Sequence, residues 1–329
     1  MTRPPGGAAI LGAGSIGVSF ALRFARGGAG VCLWDPLPGA IERASAELAE
    51  RAAATGLVRD AVQARVRFTA SLADAVAGAA LIQECAPERL ELKRQLLADV
   101  VPSAQPDALI ASSSSAIIPS LQAAGLADQA AARFLVAHPA NPPHLLPVIE
   151  LVPGERTSAE TIDRARAWYR GVGMRPVIVR REVEGFIYNR LQGAVLREAY
   201  CLVRDGVADV NDIDEVMRGA LGRRWSIVGP FETADLNTRG GIASHAAKMG
   251  PAYQRMGEER GQHDPWTPEL VAAVTAGRRE LLPLDAWDDR VRWRDQRLAE
   301  LTQLWDAAPP GEPGDWEPAG GNGRATWTG

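Results

Sequence analysis

The sequence predicts an α/β domain with a doubly wound parallel sheet, followed by an all-α domain. Three observations carry that prediction. Short apolar runs alternate with helical patterns through the first half. A glycine-rich turn joins the first run to the first helix. After Gly185 the signals become almost entirely helical.

The elements follow in order. AAILG (8–12) reads as a strand and 15–26 as a helix; VCLWD (31–35) is the next strand, and the Ala/Glu/Arg-rich stretch 39–55 reads as a helix. ALIQECA (80–86) is a strand followed by a helix over 88–100, and ALIASS (108–113) and RFLVAH (133–138) are two further strands. Such alternation implies a parallel sheet covered on both faces. Thr157 with Glu160 three residues on makes a capping box, with a helix running to about residue 170. VIVRR (177–181) is the last strand. From 186 to 204, Ile187, Leu191, Val195 and Leu202 recur at helical spacing. Further helices are expected near 211–220, 241–258, 268–281 and 285–306. The domains are therefore placed at 1–182 and 183–308. The end, 309–329, is rich in Pro and Gly with few aliphatic residues and is expected to be a disordered tail. There is no internal repeat.

Composition narrows the function classes. A chain of 329 residues accommodates two domains, since one typically takes roughly 100–200 residues. Hydrophobic residues at 46% and charged residues at 23% are ordinary for a globular protein with a full core. The net charge of −4 is spread along the chain without a basic stripe, which argues against a nucleic-acid partner. Cys32, Cys85 and Cys201 are far apart and odd in number, each inside an apolar run. They read as buried free thiols of a reducing compartment, and no metal site is expected. No run approaches the roughly 18 apolar residues of a membrane span, and the start MTRPPGGAAI lacks the apolar core of a signal peptide. The expected location is cytoplasmic.

The first strand runs into Gly12-Ala13-Gly14-Ser15-Ile16-Gly17, a G-x-G-x-x-G turn. Gly12 permits the tight turn, Gly14 lets a pyrophosphate approach the backbone, and Gly17 lets helix and strand pack closely. The helix start, at Ser15 and Ile16, offers free N–H groups and the positive end of its dipole. Asp35 ends the second strand, eighteen residues beyond Gly17. An acid there binds the ribose 2′-hydroxyl and repels a 2′-phosphate, so the expected cofactor is NAD, on a Rossmann-type domain. A structural turn without nucleotide is the competing reading of the glycines.

Ser112 to Ser115 follow the end of one strand, and His138-Pro139-Ala140-Asn141-Pro142-Pro143 the end of the next. Both features emerge on the sheet edge that carries the glycine turn, where ligands bind in open parallel sheets. A dehydrogenase needs a base beside the hydride-transfer site, and a histidine with a free pKa of about 6.5 suits that role. A solvated serine loop and a structural histidine before proline fit the same residues.

The segments GAGSIG, IQECAPERLELK, ASSSSAIIPS, HPANPP, VIELV, EGFIYNRL and VGPFET occur in this order. In these the chain resembles the 3-hydroxyacyl-CoA dehydrogenase family, over about residues 7–305, and within it most closely the lambda-crystallin branch that includes L-gulonate 3-dehydrogenase. The resemblance implies catalytic roles for Ser115, His138, Glu150 and Asn189. His138 would take the hydroxyl proton, Glu150 would orient its ring, and Ser115 and Asn189 would hold the reacting oxygen and the substrate. It further implies that Glu88 and Lys93 contact the cofactor. Helical spacing independently sets Asn189 about 200° from Ile187, off the apolar stripe and free to face the crevice between domains.

The substrate is read less directly. Gulonate and carnitine dehydrogenases of the wider family carry a similar Arg-aromatic pair, matched here by Arg224 and Trp225. Arg224 is thus a candidate for pairing with the carboxylate of a free hydroxy acid, or else a surface arginine at a helix end. His144 stands where similar sequences often carry an aromatic and could touch substrate. Three functions remain in view. They are oxidation of a small free L-3-hydroxy acid of the gulonate type, oxidation of an L-3-hydroxyacyl thioester on coenzyme A or a carrier, and a non-enzymatic crystallin-like role. Relatives pair through such helical domains, so a homodimer is expected, with Trp266, Trp287, Trp293 and Trp305 on the faces concerned.

Overall fold

The computed structural model describes residues 6–55, 62–262 and 267–307. The expected tail, 309–329, and Trp266 lie outside the described residues, as does the side chain of Trp305. The chain divides into two compact units, residues 1–198 and 199–329. The change from strands to helices falls earlier, near residue 183, so one long helix spans the division.

In the first unit eight strands form one sheet. They are β1 (Ala8–Leu11), β2 (Val31–Trp34), β3 (Val66–Thr69), β4 (Leu81–Glu84), β5 (Leu109–Ser112), β6 (Phe134–Pro139), β7 (Val148–Pro153) and β8 (Arg175–Ile178). Their order is β3-β2-β1-β4-β5-β6-β7-β8. The order reverses between β1 and β4, so a crevice opens there at the carboxyl ends of the strands. Helices α1 (Ser15–Arg26), α2 (Ala40–Ala54), α3 (Leu72–Val76), α4 (Leu90–Val100), α5 (Pro119–Gln122), α6 (Asp128–Ala132) and α7 (Ala159–Gly171) connect the strands. The central strands β1, β4 and β5 are buried at every position. That is why they read as unbroken apolar runs rather than alternating ones. One core layer gathers Ile10, Phe20, Phe24, Leu33, Leu81 and Tyr169; the other gathers Leu11, Ile82, Leu97, Ile110 and Phe134.

Four departures from the sequence-based expectation stand out. The sheet is not wholly parallel, because β7 runs antiparallel to β6. Only residues 140–147 join the two, and a parallel return needs a crossover of a dozen residues or more. Strand β3 carries no strong sequence signal, because VRFT is short and only its first residue is buried. The cap of α7 is Ser158, whose hydroxyl accepts from Thr161 N, not Thr157. The Thr157 hydroxyl instead donates to Phe134 O and accepts from Gly154 N. Cys32 is buried, whereas Cys85 and Cys201 are half-buried, and all three are free thiols.

Helix α8 (Tyr188–Arg204) leads into the second unit. There α9 (Val210–Val216) continues through a π-helical stretch, Met217–Gly222, into the short α10 (Arg223–Trp225). Helices α11 (Pro230–Leu236), α12 (Gly241–Glu259), α13 (Pro268–Leu281) and α14 (Trp287–Ala307) complete the unit. The fully buried Asp235 ties it together. Its Oδ1 accepts from Ile242 N at 2.8 Å and from Arg279, and its carbonyl accepts from Trp287 Nε1 at 2.9 Å. No helix among the described residues is long and apolar enough to cross a membrane.

Candidate active site

The glycine turn sits at the carboxyl end of β1, beside the end of β4. Gly12 has φ +113°, and a Cβ there would lie 2.7 Å from Cys85 O. A Cβ on Gly17 would lie 1.9 Å from Gly12 O, so any side chain at that position would break the turn. Gly14 differs, since nothing stands within 4 Å of the Cβ it lacks. It is also the N-cap of α1, and no side chain caps that helix start. The turn thus presents an open cradle, with the N–H groups of Ser15, Ile16 and Gly17 at the positive end of the helix dipole, as a pyrophosphate requires.

Asp35 reaches back to the same turn. Its Oδ2 accepts from Ala13 N at 2.8 Å and its Oδ1 from Leu37 N at 2.9 Å. These bonds fix a carboxylate at the end of β2, the position expected to select against a 2′-phosphate. Asp35→Asn is expected to narrow the preference for NADH over NADPH by about tenfold, because a like-charge contact costs more than 1.4 kcal/mol. Fluorescence titration of the two reduced cofactors measures this, and an unchanged ratio would show that Asp35 does not discriminate.

The serine loop is built around two carboxylates. Glu84 ends β4 and is 1% exposed, as is Lys93 on α4. Lys93 Nζ lies 2.9 Å from both Glu84 carboxylate oxygens and donates to Ala86 O at 3.1 Å. Glu84 also accepts from Ala86 N at 2.6 Å and from the Ser112 hydroxyl. Glu88 takes the next four residues. Its Oε1 accepts from the Ser114 hydroxyl, from Ser115 N and Ala116 N, each at 3.0 Å, and from Ile117 N at 3.3 Å. Its Oε2 lies 3.5 Å from Lys93 Nζ. Burial pushes the Glu88 carboxyl up, but the Ser114 hydroxyl, the backbone donors and Lys93 outweigh it and hold the group below its ordinary value. Glu88 and Lys93 thus both bond around the loop that carries Ser115, and Glu88 stays exposed beside it.

Beneath this loop, the buried Tyr169 hydroxyl donates to Gln83 Oε1, Gln83 Nε2 donates to Ser113 Oγ at 3.0 Å, and Ser113 Oγ donates to Glu84 O at 2.7 Å. Cys85 Sγ lies 3.1 Å from the same hydroxyl. Burial of its sulfur pushes the Cys85 thiol up to about 12, which favours the protonated form.

His138 and Glu150 face each other directly across the β6–β7 ladder. Both are buried, and His138 Nδ1 donates to Glu150 Oε2 at 2.7 Å. The antiparallel register accomplishes what spacing alone does not show, since directly opposed side chains stand close together. The other Glu150 oxygen accepts from Ile187 N at 2.8 Å and Tyr188 N at 3.0 Å, and so caps the start of α8. One residue further on, Asn189 Nδ2 donates to Ser115 O at 3.0 Å. Within the first unit, then, His138 is bonded to Glu150, Glu150 to the backbone at the start of α8, and Asn189 of that helix to Ser115 O. The bend before α8 is strained. Phe186 adopts φ +50° and Gly185 φ +75°, and a bulky residue in the left-handed region costs on the order of 1–3 kcal/mol. Phe186 is fully buried with Val136, Val152 and Val179, its ring 5.5 Å from that of His138. Packing beside the imidazole offsets the strain.

Arg224 belongs to the second unit. It lines a cavity of about 460 Å³ with Trp225, Phe231, Asn237, His245 and Tyr253 among others. Its Nε is buried, and no hydrogen-bond partner for it stands among the described residues. His144 lies in the β6–β7 connection, buried, with Nδ1 3.0 Å from Ser19 Oγ on α1.

Sequence reasoning missed Glu84, and it named Ser114 only as one of four serines. A signal existed for the first: Lys93, Leu96, Leu97 and Val100 share the buried stripe of α4, and a lysine on such a stripe demands a buried acid.

A glycine cradle at the switch point of a parallel sheet, an acid at the end of β2 and a histidine–carboxylate pair at the same sheet edge define an NAD-dependent oxidoreductase. The chain belongs to the 3-hydroxyacyl-CoA dehydrogenase family. Residues 7–183 match that family's NAD-binding domain and residues 185–282 its C-terminal domain. The chain is 43% identical over 274 residues to L-carnitine dehydrogenase of Pseudomonas aeruginosa, covering 81% of this chain and 82% of that one. It is 38% identical over 319 residues to the lambda-crystallin homolog of Bos taurus, covering 93% and 97%. Among solved structures, 5-formyl-3-hydroxy-2-methylpyridine 4-carboxylic acid 5-dehydrogenase, an NAD+-dependent dismutase, aligns with TM-score 0.67 and 30% identity over 86% of this chain and 98% of that one.

Proposed function

We propose that this enzyme oxidises the 3-hydroxyl of a small free L-3-hydroxy acid, of the gulonate or carnitine type, with His138 as general base. The observation that carries the proposal is the bond from His138 Nδ1 to Glu150. It fixes the tautomer, so Nε2 is the ring nitrogen with a lone pair for the alcohol proton. Bound NAD supplies the acceptor for the hydride that leaves the alcohol carbon. As the C=O bond forms, the proton passes from the alcohol oxygen to Nε2, and the Glu150 carboxylate stabilises the imidazolium. The hydroxyl of Ser115 is exposed and has no partner among the described residues. Ser115 and the second N–H of Asn189 are the donors proposed for the reacting oxygen.

Two observations favour a free acid. Arg224 carries a buried, unpartnered N–H beside an aromatic-walled cavity, and a guanidinium suits a carboxylate. The L-carnitine dehydrogenase relative is named for such a substrate. The apolar walls of that cavity, with Leu221, Ile242, Leu270 and Val271, favour the second reading, an acyl thioester.

Initial rates of NADH formation from L-gulonate, L-carnitine and L-3-hydroxybutyryl-CoA separate the two. A free acid is expected to give the highest kcat/KM, and Arg224→Ala to raise its KM at least about tenfold, as for a lost charged hydrogen bond. A thioester as the best substrate, or an unchanged KM for the acid, defeats the proposal.

A further inference from the structure

The cofactor turn has a cationic neighbour that its motif does not announce. Arg51 stands in the last turn of α2, its side chain about one-fifth exposed at 20%. Its Nη2 donates to Ser15 Oγ at 2.7 Å and its Nη1 to Ser15 O at 3.0 Å. The same two nitrogens also donate to Glu47 Oε1 and Ser19 Oγ. The guanidinium is thereby pinned against the first residue of α1, beside the open space at Gly14.

Hydrogen accounting gives this arrangement a direction. A guanidinium only donates. Ser15 Oγ is therefore the acceptor in its bond with Arg51, and its own hydrogen is left for another acceptor. The same guanidinium reaches one turn along α1. Ser19 Oγ accepts from Arg51 and lies 3.0 Å from His144 Nδ1. Burial and then the nearby Arg51 push that imidazole below its ordinary value.

We propose that Arg51 is a positioning residue for the cofactor's pyrophosphate: it turns the Ser15 hydroxyl into a donor aimed at a phosphate oxygen and places a fixed positive charge beside the cradle. Glu47 offsets part of that charge but leaves the hydroxyl's orientation intact. The glycine motif supplies backbone donors only, and Arg51 with Ser15 adds a side-chain donor to them.

The test compares ligands with and without a pyrophosphate. Wild type, Arg51→Gln and Ser15→Ala are titrated calorimetrically with NADH, ADP-ribose and adenosine. Both variants are expected to weaken NADH and ADP-ribose by about tenfold, as expected for a charge-assisted hydrogen bond, and to leave adenosine within about twofold. The double variant is expected to lose little more than Arg51→Gln alone, because both act on one bond. The proposal is overturned if Arg51→Gln binds ADP-ribose like wild type, or if adenosine weakens to the same extent. Should Arg51→Gln fail to fold, Ser15→Ala decides by the same two outcomes.

Discussion

His138→Gln is expected to lower kcat by about 10²–10⁴-fold while leaving NADH affinity unchanged. Gln retains a similar length and a donor for Glu150, so the packing against Phe186 and Tyr188 survives. What it lacks is a nitrogen that can accept the alcohol proton. At about 1.4 kcal/mol per decade, the loss corresponds to about 3–5 kcal/mol of barrier. The NADH dissociation constant checks the specificity of the change, because the imidazole is bonded to Glu150 and not to the cradle at Gly12, Gly14 and Gly17. Single-turnover rates with saturating NAD measure the chemical step directly. A variant that keeps more than a tenth of wild-type kcat would mean the proton leaves by another route.

Much of this arrangement is legible in the sequence because it depends on local chemistry. Buried parallel strands must be apolar throughout, so AAIL, VCLW and LIAS announce themselves. Gly12 and Gly17 are legible because no other residue fits a backbone approach as close as theirs. The pairing of His138 with Glu150 is not legible from spacing, because it arises from antiparallel register across an eight-residue connection, 140–147. The resemblance gives Glu88 and Lys93 as cofactor contacts; their further role, the pairing of Lys93 with both Glu88 and the buried Glu84, is not legible in the motif. Such roles are set by which helix packs behind which strand, and no local periodicity encodes that. Arg51 is hidden for a similar reason: on α2 it resembles any solvated arginine until α1 is laid beside it.

Lys93→Met is expected to cost about 3–5 kcal/mol of stability, because it strands the Glu84 carboxylate in the core. The pair is 1% exposed on both sides, so water cannot take the lysine's place. Glu84 would keep only Ala86 N and the Ser112 hydroxyl. Against a total of about 5–15 kcal/mol for a typical domain, this loss is severe, and it appears as a lower urea midpoint at an unchanged slope. The double variant Glu84→Gln/Lys93→Met removes both charges and is expected to recover most of that stability, since an apolar or neutral replacement of a buried pair is often close to neutral. Activity should behave differently. Lys93 also steadies Glu88, whose other oxygen gathers Ser114, Ser115, Ala116 and Ile117. Without that cation the loop loses its anchor, and Ser115 and Asn189 lose their common geometry. The double variant should therefore be stable yet slow, with kcat reduced more than KM is raised. If it regains full kcat along with stability, the buried pair serves folding alone. If it stays slow, a buried charge has been retained at some cost in stability because it places the residues that hold the substrate.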